Sequence, residues 1–341
     1  MKIEHNFPFD PTYGFTEGQL LRIKTDDPRP DDFADFWRNL YRKAVSFPPS
    51  YHVEDELWSP NPRSKIYRVR FRTFDGFSIG MWVVRPEHSS GGLLVGQGYC
   101  HMVTPPAGEC EDMTVALPNI RGLGLSQCGK IPWEISKHCI YGIDDKEKFV
   151  ITGAVIDLWT ALSVAADMFP DTKENWNYSG GSLGGGLGAI GMPWDARVKS
   201  AELNIPTLAG PYQFQFQLLA SPDDPAAIRA RCAFADPKAM ESIYYCNAVT
   251  AASYFNIPVL MTPARFDPSN PPPAQFAIAN AIPKDKLILR IRDTGHFTPT
   301  DNDKNILEPE LEKIRKTLRS GERDSLFNQD SGYPMLFPVP E

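Results

Sequence analysis

Several things are scarce in this chain. Its six cysteines, Cys100, Cys110, Cys128, Cys139, Cys232 and Cys246, form no C-x-x-C pair and no mixed Cys/His spacing that would hold a metal. Free thiols in a reducing compartment are expected, with no metal and no cofactor. No stretch approaches the roughly 18 uninterrupted apolar residues of a membrane span. Met1-Lys2-Ile3-Glu4-His5-Asn6 lacks the apolar run of a secretory signal, so a cytoplasmic protein without a membrane partner is expected. Positive charge is also short: the net charge is −7, which repels phosphates and argues against nucleic acid as a partner. Neutral small molecules stay compatible. Histidine is sparse too, with six in all, and only His296 follows residue 138.

What is present describes a globular protein. At 341 residues, with 42% hydrophobic and 23% charged, the chain can bury a sizeable core as one domain, 1–341. Its 32 prolines are spread along the chain and mark no boundary, and there is no internal repeat or low-complexity linker. Phe33, Phe36, Trp37, Leu40, Tyr41 and Ala44 recur at helical spacing after Pro30-Asp31-Asp32. The alternation Tyr67-Arg68-Val69-Arg70-Phe71-Arg72, the turn Asp75-Gly76 and the run Ile79 to Val84 predict a β-hairpin, its arginines on a solvated face. These make residues 1–90 an N-terminal helix and hairpin extension. Residues 100–150 read as long loops, Val150 to Phe169 as a helix containing a salt-bridged Asp157, and Leu307 to Leu318 as a charged amphipathic helix. Between them, 207–252 reads as an insertion rich in Tyr212, Phe214, Phe216, Tyr244 and Tyr245, suited either to packing or to stacking on a ligand ring.

The most informative stretch is Gly180-Gly181-Ser182-Leu183-Gly184, directly after the strand-like Trp176-Asn177-Tyr178. A serine on a sharp strand-to-helix turn needs neighbours two positions away without side chains, which is the nucleophile-elbow pattern. Asp267 follows the buried run Ile257-Pro258-Val259-Leu260-Met261, and His296 follows Leu287-Ile288-Leu289-Arg290-Ile291. Serine, acid and histidine thus come in the order used by α/β-hydrolases, each beyond the C-terminal end of a predicted strand. Ser182 is the expected nucleophile, His296 the base that takes its proton, and Asp267 the group that fixes the imidazole tautomer. Asp293 competes for the last role, but three residues from His296 it is expected to cap or turn the same loop. The oxyanion needs two donors. Leu183 N–H follows the nucleophile, and Tyr99 N–H follows the strand Leu93-Leu94-Val95 and its turn Gly96-Gln97-Gly98.

Together these segments resemble the acetyl xylan esterase and cephalosporin C deacetylase family, which removes acetyl groups from sugars and related compounds. The matching stretches are Gln97-Gly98-Tyr99, Arg121-Gly122-Leu123-Gly124-Leu125-Ser126, Gly180 to Gly185, Asp267 with Pro271-Pro272, and Gly295-His296-Phe297, with Asp35-Phe36-Trp37 and the hairpin ahead of them. The resemblance covers roughly residues 30 to 320. It implies an α/β-hydrolase fold with a mostly parallel central sheet flanked by helices, a lid-like 207–252 insertion that is helical despite the strand-like alternation Tyr212 to Leu218, a small ester substrate of acetylated-sugar type, and a homo-oligomer.

The chain departs from the family pattern where Gln97 replaces a histidine, Leu123 and Leu183 replace glutamines, and Phe297 replaces a glutamate. No triad atom or backbone donor is lost. The paired leucines predict a drier wall near the nucleophile and less polar alcohol portions. The expected function is a serine esterase acting through an acyl-enzyme. The alternatives are a hydrolase-like binding protein without activity, or an acyltransferase or peptidase using the same three residues.

Overall fold

The computed structural model describes residues 3–99, 112–220, 222–320 and 322–327; Cys100, His101, Cys110 and the end of the tail lie outside them. Of the described cysteines, Cys128, Cys139, Cys232 and Cys246 are all free thiols.

The strands are β1 (Tyr51–Leu57), β2 (Ser64–Arg72), β3 (Ser78–Pro86), β4 (Gly92–Gly96), β5 (Thr114–Pro118), β6 (Trp176–Gly181), β7 (Val198–Asn204), β8 (Val259–Thr262), β9 (Ala264–Phe266), β10 (Leu287–Leu289) and β11 (Arg292–Thr294). Nine of them form one sheet in the order β1-β2-β3-β5-β4-β6-β7-β8-β10. Pairing is antiparallel from β1 to β5 and parallel from β5 to β10. β9 and β11 make a separate parallel pair.

The hairpin is therefore continuous with the main sheet. Val69 and Phe71 of β2 face the main core, while on the other face Arg68 and Arg70 pair with Glu54 on β1, 3.2 Å away for Arg68, and Ile66 packs in a smaller cluster with Trp82 and Val84. The alternation predicted a solvated face, and β1 neutralises it. Residues 100–150 are a correction: they contain β5, fully buried between β3 and β4. Its five residues are too few to show a period.

The chain leaves β4 for β5 on one side and returns to β6 on the other. That reversal is a topological switch point, and in open parallel sheets the crevice beyond the strands' carboxyl ends at such a point is where ligands bind. Here β4 and β6 end on Gly96-Gln97-Gly98 and on Gly181-Ser182.

The connecting helix, Val150–Met168, has the length and apolar composition to cross a membrane, but 83% of its most apolar 18-residue stretch is buried within the fold. Trp159 donates from its indole to Gly191 O at 3.0 Å, and Asp157 receives the buried Arg121 guanidinium at 2.7 and 3.0 Å. Arg121 also reaches Asp75 in the hairpin turn at 2.7 Å, so the motif around it ties hairpin to helix.

The helix after the elbow, Leu183–Gly191, is buried along its whole length. Glycine is a poor helix former, by about 1 kcal/mol against alanine, yet a Cβ at Gly184 would collide with the carbonyl of Gly96 at the end of β4. The Tyr178 hydroxyl donates to Gly184 O at 2.5 Å from beneath. Gly184→Ala is therefore expected to destabilise the protein by about 1–3 kcal/mol, the usual range for overpacking, despite alanine's better propensity. Urea unfolding of the two proteins checks it; equal midpoints would contradict the close approach.

Residues 207–252 fold into the helices Gly210–Ala220, Pro225–Ala235, Pro237–Tyr245 and Ala248–Ala252. The alternation at Tyr212 to Leu218 thus misleads, and the resemblance is right. Gln213 and Gln217, one helical turn apart, are buried along with Phe214: Gln213 Oε1 accepts from Ala209 N at 3.1 Å, and Gln217 donates to Ser269 O. Leu219 meanwhile is 82% exposed.

Candidate active site

Ser182 sits between β6 and its helix with φ 54° and ψ −119°, a left-handed backbone for a residue with a side chain. Such a conformation costs on the order of 1–3 kcal/mol and persists only where neighbours hold it. They do: Ser182 N donates to Asn204 O at 3.0 Å, and Ser182 O accepts from Gly186 N and Thr207 N, each at 3.1 Å. The elbow is thereby pinned to the end of β7.

Asp267 follows β9 and is fully buried. Its Oδ1 accepts from Ser269 N at 2.8 Å and Asn270 N at 2.9 Å, and its Oδ2 accepts from Gln275 Nε2 at 2.9 Å. The His296 Nδ1 lies 2.9 Å from Oδ2 and 3.1 Å from Oδ1. A Cβ at Gly295 would strike this carboxylate, so the residue ahead of the histidine must be glycine for the two to meet. Burial lowers the His296 pKa, but the hydrogen bond and charge of Asp267, with the charge of Asp224, leave it raised above its ordinary 6.5. Asp293 takes the other role considered for it. It pairs with Arg265 at 2.7 Å and accepts from Thr300 Oγ1 at 2.9 Å.

Ser182 and His296 line one cavity of about 580 Å³, with Tyr99, Leu183, Asp224 and Arg229 also on its wall. That volume suits a small ligand. Leu183 opens its helix, so its N–H has no intrahelical acceptor and lies at the positive end of the helix dipole. The Tyr99 hydroxyl is 3.3 Å from His138 Nδ1, and His138 Nε2 is 2.8 Å from Arg121 O. A carbonyl only accepts, so Nε2 carries the proton and Nδ1 takes the phenol's. Burial pushes the His138 pKa down to about 4, in keeping with this neutral ring.

The departures from the family pattern fall mostly outside the cavity. Leu183 lines it, but Leu123, 1% exposed, lies in the hydrophobic core and is not on its wall. The expectation of a wall made by both leucines is corrected to one leucine. Gln97 is buried and accepts from Ile120 N at 3.1 Å, joining the ends of β4 and β5. Phe297 packs with Phe7 and Phe266, ring centroids 5.7 and 5.3 Å away.

Four residues near the site had no sequence signal. Asn270 donates to Ile205 O at 2.9 Å and lies 3.5 Å from Ser182 Oγ. Gln275 holds Asp267 while accepting from Ala264 N at 2.9 Å. Asp224 caps the helix Pro225–Ala235 and accepts from Ser269 Oγ at 3.3 Å. Arg229, on that helix, is 2% exposed.

Comparison with known proteins agrees with this architecture. The family description acetyl xylan esterase (AXE1) matches residues 15–305. Among solved structures, the acetyl xylan esterase from Paenibacillus sp. R4 superposes with a TM-score of 0.69 at 22% identity, covering 88% of this chain and 99% of that one. Acetyl xylan esterase 1 from Thermoanaerobacterium sp. JW/SL YS485 gives 0.73 at 19% identity, covering 92% of this chain and 100% of the other. At these identities the structures speak for the shared α/β-hydrolase fold, and the family match, which spans most of the sequence, places the protein: it belongs to the acetyl xylan esterase family.

Proposed function

We propose that the protein is a serine carboxylic-ester hydrolase that removes acetyl groups from carbohydrate or similar small esters through an acyl-enzyme. The observation that carries this reading is the meeting of three residues distant in sequence. His296 is bonded through Nδ1 to Asp267, which leaves Nε2 as the basic nitrogen, and shares a cavity with Ser182 on its strained turn. Family membership supports an ester as substrate.

In the proposed cycle, His296 Nε2 takes the Ser182 proton as Oγ attacks the ester carbonyl. The N–H groups of Leu183 and Tyr99 hold the oxyanion, and the imidazolium returns its proton to the leaving alcohol. Water, deprotonated by the same nitrogen, then releases the acetyl group and restores the serine. Asn270, beside Ser182 Oγ, helps to aim it.

The base must be neutral to act. With its pKa raised above 6.5, kcat/KM for p-nitrophenyl acetate and for acetylated xylose is expected to climb with pH through one inflection above that value. An inflection below it, or no turnover of either ester, would contradict the proposal. The same shift acts on the fold in the opposite direction. Protonated His296 is stabilised by Asp267, so this contribution is full in acid and disappears as pH rises through the folded-state pKa.

A further inference from the structure

Arg229 lines the cavity, and hydrolysis of a neutral acetate does not use it. It is 2% exposed, and its Nη1 is buried without a hydrogen-bond partner. Among the described residues no carboxylate lies within ion-pairing distance of it. The neighbouring acid, Asp224, is committed elsewhere: its Oδ1 accepts from Ala226 N at 2.8 Å and its Oδ2 from Ser269 Oγ. Because the Tyr99 phenol gives its proton to His138 Nδ1, its oxygen presents lone pairs toward the adjacent guanidinium, which orients Arg229 without neutralising it.

A buried cation in no direct ion pair, reached by the Asp224 charge only from a distance, is incompletely compensated, and a protein that keeps one beside its binding cavity has a use for an anion there. Arginine suits a planar carboxylate, which can take two parallel N–H bonds. We propose that Arg229 binds a carboxylate carried by the substrate, so that the preferred ester is an anion. This inference rests on the esterase reading only for the word ester; the carboxylate site itself is testable without catalysis.

Two measurements separate the ideas. In the first, calorimetry on the wild-type protein compares 4-hydroxybenzoate with its uncharged methyl ester. At least about tenfold tighter binding of the carboxylate is expected, from the usual worth of a charge-assisted hydrogen bond. Equal binding overturns the proposal. In the second, kcat/KM is measured for 4-acetoxybenzoate and methyl 4-acetoxybenzoate, each divided by its rate of hydrolysis in hydroxide. The ratio of charged to neutral substrate should fall about 10- to 100-fold in Arg229→Met and by less in Arg229→Lys, which keeps the charge but loses the fork. A ratio untouched by either substitution, with both esters turned over, leaves the esterase standing and removes the carboxylate site. Carboxylate binding that depends on Arg229 without any turnover does the reverse. Should neither variant fold, the wild-type binding pair decides.

Discussion

Ser182→Ala is expected to lower kcat on p-nitrophenyl acetate by about 10⁴- to 10⁶-fold, the range seen when a nucleophile is removed from a serine hydrolase. The loss should fall on chemistry. The cavity, its walls and the backbone donors are untouched, and the elbow is held by main-chain bonds to Asn204, Gly186 and Thr207 that alanine also makes. Stability should change little, because the strained φ of 54° belongs to the position and burdens alanine as it burdens serine. The companion measurement is acid-quenched mass spectrometry during turnover, in which the wild-type acetyl label should lie on the peptide carrying Ser182 and vanish in the variant. Turnover unaffected by the substitution would discard the acyl-enzyme at this residue, and no turnover in either protein would bring forward a binding protein that has kept the fold.

The second large effect is expected from Asp267→Asn, about 10⁴-fold in kcat. Every group facing this carboxylate is a donor: two backbone N–H groups at Oδ1, and Gln275 Nε2 and His296 Nδ1 at Oδ2. An asparagine has only one oxygen to give. If it satisfies the backbone pair, its amide group points at His296 and Gln275, and the imidazole must turn its lone pair to Nδ1. Nε2 then carries the proton and cannot act as the base. KM should move far less than kcat, and the acid limb of the pH profile should shift downward because the charge that raised the His296 pKa is gone. Comparable losses in KM and kcat would instead mean that the loop had come apart.

How much of this was written in the sequence depends on how local each signal is. Ser182, Asp267 and His296 were legible because each sits a few residues beyond an apolar run, and a parallel sheet delivers such positions to one edge. The helix Phe33–Ser46 and the hairpin were legible for the same reason of strict period. The helix Gly210–Ala220 was misread from its own residues because two of its polar residues are buried while Leu219 is exposed. Its glutamines go inside to bond Ala209, Thr207 and Ser269, and no period rule anticipates partners supplied by another loop. Arg229 and Gln275 escaped for a similar reason. An arginine in an alanine-rich helix and a glutamine after three prolines look like solvated residues until the fold shows that both are buried. The Leu123 expectation failed because two residues sixty positions apart were assumed to face one another, and only one of them reaches the cavity.

The sheet begins at β1, whose outer side pairs with no strand among the described residues. An open edge is an invitation to fibril-like growth, since its free N–H and C=O groups fit any other extended chain. This one is guarded twice. Glu54, Asp55 and Glu56 load three consecutive acids onto the strand, and its register against β2 slips between Val53 and Asp55, bending the edge at Glu54. A second copy of the same strand laid alongside would bring carboxylates against carboxylates over a kinked ladder. The hairpin can therefore widen the sheet of the hydrolase without becoming a seed for aggregation.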